Sequence, residues 1–208
     1  MPFDPRQDCA GLLLAGGLGR RMGGGLKGLA LLDGRPLLAH AAARACPQVA
    51  CLAVNANAPA EEFAELGLPV LPDPVTGFVG PLAGVLAGML WAREAGYGWV
   101  ASFPCDAPFF PGTLVRDLAA EAGSADIVTA TSGGQRHPVF ALWAVRLADD
   151  LQRALAEEGL RKVDRWTARY RMADVEFPVA PEGDPFFNIN TPEELAAATL
   201  LLHGTIDR

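Results

Sequence analysis

A single α/β domain, its mainly parallel sheet flanked by helices, is the fold this 208-residue sequence predicts. Three observations carry that expectation. Short apolar runs alternate with longer helical stretches, the order expected of a parallel sheet whose crossovers are helices. The length suits one domain, and no internal repeat, low-complexity tract or interdomain linker divides residues 1–208. Apolar residues make up 50% of the chain, enough to build a substantial core.

Taken in order, an apolar run at 9–14 is the first strand, and the stretch 36–46 the first helix. Strands are then expected at 50–55 and 68–71, with a short helix at 60–66 between them. A helix at 82–95 leads to a strand at 99–103, and a helix at 113–122 to a strand at 127–131. Gly133-Gly134-Gln135 reads as a tight turn into a strand at 138–143. Helices at 145–158 and 163–169, a strand at 175–179 and a helix at 192–203 complete the chain. The last helix has the clearest start, because Thr191-Pro192-Glu193-Glu194 supplies an N-cap hydroxyl, a first-turn proline and a capping-box carboxylate.

The most informative segment follows the first strand, where Leu14-Ala15-Gly16-Gly17 begins a glycine-rich loop carrying Arg20, Arg21 and Lys27. Main-chain amides can crowd around an anion where no Cβ blocks the approach, so such a loop suits phosphates. It is not a Walker A loop, since Lys27 stands between Leu26 and Gly28, and the dinucleotide spacing from Gly17 reaches Met22 instead of glycine. A flexible surface loop is the plain alternative, but it does not explain cations among the glycines directly after a strand.

Charge bounds the partner. The net charge is −7, which argues against a nucleic-acid ligand, whereas residues 1–36 hold five cationic side chains against three carboxylates, a local bias suited to a small anion. No long uncharged apolar run and no signal-peptide order are seen, so neither a membrane nor export is expected, and the cytoplasm is. Cys9, Cys46, Cys51 and Cys105 lack metal or redox spacing and are expected to be reduced, buried thiols.

Ligands of open α/β sheets sit outside the carboxyl ends of the strands, which here deliver Leu14-Ala15-Gly16, Asn55, Asp73, Pro104-Cys105-Asp106 and Arg136-His137. Asp106 follows an apolar strand between two prolines and reads as a Mg²⁺ ligand or as a turn aspartate. Asn55 and Asp73 are single polar groups ending apolar strands and read by themselves as turn formers, and Gly80-Pro81-Leu82 opens a helix whose small residues suit close packing. Asn188 and Asn190 sit just before the last helix, where by themselves they serve turn chemistry. Arg161 and Arg165 are expected on one helical face that grips a second anion or is simply solvated. His40 and His203 fall in helices and read as structural. Few serines and no adjacent nucleophile-base pair argue against hydrolase chemistry.

Leu-Ala-Gly-Gly, Lys27-Gly28, Val54-Asn55-Ala56-Asn57, Gly80-Pro81-Leu82-Ala83-Gly84, Pro104-Cys105-Asp106, His137-Pro138 and Asn188-x-Asn190-Thr191-Pro192-Glu193-Glu194 occur in one order along nearly the whole chain. In this the sequence resembles the nucleotidyltransferases, specifically the molybdenum cofactor guanylyltransferases. The resemblance implies a Rossmann-like, nucleotide-diphospho-sugar transferase-like sheet, with GMP passed from GTP to the phosphate of molybdopterin and pyrophosphate released. It implies Lys27, Arg20 and Asp106 as catalytic residues, with Mg²⁺ on Asp106 and Asn190 as a further candidate ligand. Nucleotide contacts are implied at Leu14, Ala15, Gly16, Gly17, Lys27, Asn55, Asp73, Gly80, Pro81, Leu82 and Asp106, and acceptor contacts at His137, Asn188, Asn190 and Arg161. Gly16-Gly17, where cytidylyl relatives carry Ala-Gly, favours guanine. Leu26 stands where the family has Asp, leaving Lys27 without an acceptor beside it. Transient contacts with cofactor-biosynthesis and molybdoenzyme-maturation proteins are also implied. A cytidylyl or sugar-phosphate nucleotidyltransferase, or a GTP-binding protein without turnover, stays open as an alternative.

Overall fold

The computed structural model describes residues 3–17, 25–75, 77, 80–181 and 183–206. The elements in chain order are α1 (Pro5–Asp8), β1 (Cys9–Leu14), β2 (Leu31–Leu32), β3 (Arg35–Pro36), α2 (Leu37–Ala45), β4 (Cys51–Asn55), β5 (Val70–Leu71), α3 (Pro81–Glu94), β6 (Trp99–Pro104), α4 (Leu114–Ala119), β7 (Ile127–Ser132), β8 (Gln135–Ala144), α5 (Ala148–Ala156), α6 (Val163–Thr167), β9 (Met172–Phe177) and α7 (Pro192–Ile206). Among the described residues, seven strands form one sheet in the order β5-β4-β1-β6-β8-β7-β9, and β2 pairs with β3 in a separate hairpin. All pairings in the large sheet are parallel except those of β8, which runs against β6 and β7.

That order explains where a ligand can sit. The chain leaves β1 toward β4 and β5, then returns through α3 to β6 on the other side of β1. The carboxyl ends of β1 and β6 therefore flank a topological switch point, where the two diverging connections leave a crevice. The strand ends are tied together: Cys105 N donates to Leu14 O at 3.1 Å, and Ala15 N to Asn55 O at 2.9 Å.

Two buried layers cover the sheet. One joins Leu13, Val54, Phe103, Phe110 and Phe140 to the apolar faces of α2 and α4. The other joins Leu12, Val100 and Trp143 to α3 and α5, with Trp166 packed 6.2 Å from Trp143. Helix α3 is buried along most of its length, and its glycines meet the sheet. A Cβ on Gly84 would lie 2.2 Å from Asn55 Oδ1 and 2.7 Å from Leu14 Cδ2, and one on Gly88 would lie 2.7 Å from Leu12 Cδ2. Gly84→Ala is therefore expected to destabilise the protein by about 1–3 kcal/mol, lowering Tm by roughly 2–10 °C in a thermal melt. An unchanged melting temperature would show that the helix can retreat without cost.

Several expected elements differ in form. The segment at 60–66 is a 3₁₀ helix, and the helix expected from 145 begins as a 3₁₀ turn at Val145–Leu147. The last strand lies at Met172–Phe177, earlier than expected, because its register is set by pairing with all of β7. The capping box forms: Glu194 N donates to Thr191 Oγ1 at 3.2 Å, and Thr191 N to Glu194 Oε2 at 3.0 Å. Gly133 and Gly134, at φ 54° and 77°, make the two-residue turn between β7 and β8. Of the cysteines, Cys9 and Cys105 are buried, but Cys51 is only half-buried and Cys46 is exposed, because a helix end turns it outward. No helix among the described residues is long and apolar enough to cross a membrane.

Candidate active site

A cavity of about 480 Å³ opens at the switch point. Leu14, Gly16 and Gly17 line it from the end of β1, Asn55 and Asn57 from β4, and Asp73 from beyond β5. Gly80 and Pro81 enter at the start of α3, Pro104 and Asp106 at the end of β6, Val139 from β8, and Asn188 and Asn190 before α7. Residues from Leu14 to Asn190 thus share one rim: all but Val139, inside the antiparallel β8, lie at or beyond the carboxyl end of a strand or at the approach to a helix.

Among the described residues, nothing lies within 4 Å of a Cβ built on Gly16, and the nearest atom to one on Gly17 is Lys27 Cδ at 4.0 Å. Their exposed backbone faces an opening that side chains would narrow. Lys27 N donates to Gly17 O at 3.2 Å, so the loop is closed at its base. Gly80, at φ 76°, turns the chain into α3 in a conformation that favours glycine, and the positive end of that helix meets the cavity.

On the β6 side, Lys27 is the hub. Its ammonium pairs with Asp106 and donates to Asn190 Oδ1 at 2.6 Å, although these partners lie 79 and 163 residues away. Ile189 N donates to Asp106 O at 2.7 Å, which fastens the segment bearing Asn188 and Asn190 to the end of β6. The Lys27 side chain is 11% exposed and that of Asp106 22%, so the pair is shielded but reachable. Two hard oxygens, Asp106 Oδ2 and Asn190 Oδ1, already converge on one cation. That donor set suits a divalent ion completing its shell with phosphate oxygens and water. Among the described residues no group of three or more His, Cys, Asp and Glu could hold a metal without such help. The adjacent Cys105 thiol is inert: burial, reinforced by the Asp106 charge, pushes its pKa up to about 12.

On the β4 side, Asp73 is held by amides. Asn55 Nδ2 donates to Asp73 Oδ1 at 2.9 Å and Asn57 Nδ2 to Oδ2 at 2.8 Å, while Asp73 N donates to Asn57 Oδ1 at 2.8 Å. Both carboxylate oxygens are oriented, and each keeps acceptor capacity for a ligand. Asn57 lies two residues past the end of β4 and was legible as part of the Val54-Asn55-Ala56-Asn57 motif. Pro104 stood in the Pro104-Cys105-Asp106 strand end without being singled out as a contact, and Val139 carried no such signal.

A model of the MobA-like NTP transferase domain matches residues 11–173. The chain belongs to the MobA-like NTP transferase family. Among relatives of this MobA-like transferase, the molybdenum cofactor guanylyltransferase of Rhodopseudomonas palustris (strain BisB5) is 52% identical over 202 residues, covering 95% of this chain and 96% of the relative. The protein of the same name from Bradyrhizobium sp. (strain ORS 278) is 52% identical over 196 residues, covering 92% of each chain. Among solved structures, molybdopterin-guanine dinucleotide biosynthesis protein A from Archaeoglobus fulgidus superposes with a TM-score of 0.74 at 25% identity, over 94% of this chain and 99% of that one.

Not every residue expected at the site of this MobA-like transferase faces the cavity. The Ala15 side chain is buried and its amide is spent on Asn55 O; the Leu82 side chain is buried in the core beneath α3, since the helix turns position 82 toward the sheet. His137 lies off the cavity, its Nε2 2.7 Å from Ser132 Oγ. Arg161 precedes α6 and so does not share a helical face with Arg165; its guanidinium donates to the carbonyls of Leu160 and Leu155 at 2.9 and 3.2 Å. It lines a separate opening with Lys162 and Arg165, adjoining Gly80, whose Cβ would lie 3.7 Å from Arg161 O. Arg20, with Arg21, lies outside the described residues. Leu26 packs its side chain against the core, and Lys27, beside the cavity, finds its acceptors in Asp106 and Asn190.

Proposed function

We propose that the chain transfers GMP from GTP to the phosphate of molybdopterin, forming the guanine dinucleotide cofactor and releasing pyrophosphate. The observation that carries this reading is the convergence of open glycine backbone, the Lys27–Asp106–Asn190 cluster and the amide-held Asp73 on one cavity. The names of its relatives, molybdenum cofactor guanylyltransferase and molybdopterin-guanine dinucleotide biosynthesis protein A, support a guanylyl donor and a molybdopterin acceptor.

An acceptor phosphate oxygen attacks the α-phosphorus of GTP, and the bond from that phosphorus to the bridging oxygen breaks, its electrons leaving with pyrophosphate. The attacking oxygen is already ionised, so no general base is needed. Repulsion between two anions is the main barrier, and charge placement is what the chain supplies. The amides of Gly16 and Gly17 and the start of α3 face the phosphates, and Lys27 takes up charge on the leaving group. Arg20 joins it on the strength of the loop sequence. Asp73, set by Asn55 and Asn57, receives the nucleoside end. Asp106 and Asn190 would hold Mg²⁺, which when bound draws charge from phosphate oxygens. Arg161, with Lys162 and Arg165, suits the anionic acceptor where the second opening meets Gly80.

Thermal melts with GTP and CTP, each with and without Mg²⁺, test the nucleotide. At a hundred times Kd, binding stabilises by about 2.7 kcal/mol, raising Tm by roughly 5–10 °C. GTP with Mg²⁺ is expected to give the largest shift; a larger one with CTP overturns the guanine assignment. Stabilisation by GTP without pyrophosphate release on addition of molybdopterin would instead identify a binding protein without turnover.

A further inference from the structure

The segment between β9 and α7 carries Asn188 and Asn190, and among its described residues no helix or strand sets its position. Something else must hold it. Asp184, near its start, accepts at Oδ1 from Phe186 N at 2.8 Å, and both its oxygens lie 2.8 Å from the donating Ser132 Oγ. Ser132 ends β7 and is buried, with 1% exposure. Its single O–H is committed to Asp184, so the contact at 2.7 Å from His137 must be an Nε2–H donating to the serine oxygen. A chain of donors thus runs from His137 through Ser132 to Asp184.

This arrangement is not a nucleophilic triad. Serine stands in the middle, donating to the carboxylate, and histidine supplies a proton to it instead of accepting one. Burial pulls the His137 pKa down, in keeping with a neutral donor. The apolar surroundings lock the same segment. Phe186 is buried, its ring centre 4.6 Å from that of His137, 4.8 Å from Phe140 and 5.4 Å from Phe177. Three residues past Phe186, Ile189 is fully buried and its N–H reaches Asp106 O. From the Phe186 anchor to Asn190 there are only four peptide steps, so displacement at Asp184 is passed on to the asparagines.

We propose that Ser132 and Asp184, with His137 as their donor, are positioning residues that fix the Asn188–Asn190 segment against the end of β6 and thereby set the Lys27–Asp106–Asn190 geometry. The inference rests on the transferase reading above, and it gives the His137-Pro138 motif a task that requires no contact with substrate.

The test uses the full chain, GTP and molybdopterin, with initial rates of pyrophosphate release and thermal melts. Ser132→Ala and Asp184→Ala are expected to lower kcat tenfold or more while KM for GTP stays within twofold, because the Asn55, Asn57 and Asp73 side is untouched; misplacements near 1 Å can cost about a hundredfold. Asp184→Asn should recover most of the rate, since its amide oxygen still accepts from Ser132 and Phe186. Should the alanine variants fail to fold, Ser132→Cys keeps the shape with weaker bonds and is expected to lose kcat severalfold. Parental kcat in the folded Ser132 and Asp184 variants, or Asp184→Asn as impaired as Asp184→Ala, overturns the proposal. The parent chain and Asp106→Ala in the same assay separate the two levels: if the parent releases no pyrophosphate from GTP with molybdopterin, the transferase reading falls; if the parent turns over and Asp106→Ala alone loses activity, only the positioning role falls.

Discussion

Asp106→Ala is expected to lower kcat for nucleotidyl transfer by two to three orders of magnitude, a loss of about 3–4 kcal/mol of transition-state stabilisation. The side chain is the carboxylate that meets both the Lys27 ammonium and the rim where the phosphates are placed. The fold should survive, because the contact that fastens the asparagine segment uses the Asp106 carbonyl, which alanine retains. Initial rates of pyrophosphate release, with a melting curve beside them, check both halves. A rate within threefold of the parent would remove Asp106 from the reaction.

Lys27→Ala is expected to cost about a hundredfold in kcat, the loss of one charge-assisted contact to a leaving pyrophosphate. It should have a second effect that an ordinary phosphate-binding lysine would not show. In the resting structure the ammonium occupies the position on which Asp106 and Asn190 converge, so it competes with any divalent ion for the same oxygens. Removing it should tighten Mg²⁺ or Mn²⁺ binding to the nucleotide-free protein severalfold, measured by calorimetry, while transfer declines. Weaker metal binding in the variant would mean that the lysine organises those oxygens without blocking them.

Much of this molecule was legible from local pattern. The apolar run of β1 and the Thr191-Pro192-Glu193-Glu194 cap are short-range signals, and each forms where expected. The β2–β3 hairpin leaves no periodicity in the sequence, its strands being two residues long, although Asp33-Gly34, both at positive φ, is a recognisable hairpin turn. Ala15 and Leu82 were expected among the ligand contacts because motifs are contiguous in sequence. Helix and strand geometry turns alternate members of a motif inward, and these two side chains belong to the core.

His137 and Arg161 show a different limit. Both are polar residues in suggestive contexts, yet their partners are a serine and an aspartate at the foot of a remote segment in one case, and two main-chain carbonyls in the other. No spacing rule foretells such partners.

What the sequence by itself determined is the alternation of strands and helices, and with it a rim at the strand ends furnished with glycines, a lysine, carboxylates and amides. Hydrophobic period, turn chemistry and capping act over a few residues and can be read there. Only the tertiary structure decided that Lys27 meets Asp106 and Asn190, that Asn57 orients Asp73, and that Ser132 holds Asp184. Those meetings depend on the lateral order of strands, with β1 between β4 and β6 and β7 beside β9, and that order is chosen by packing the whole core at once.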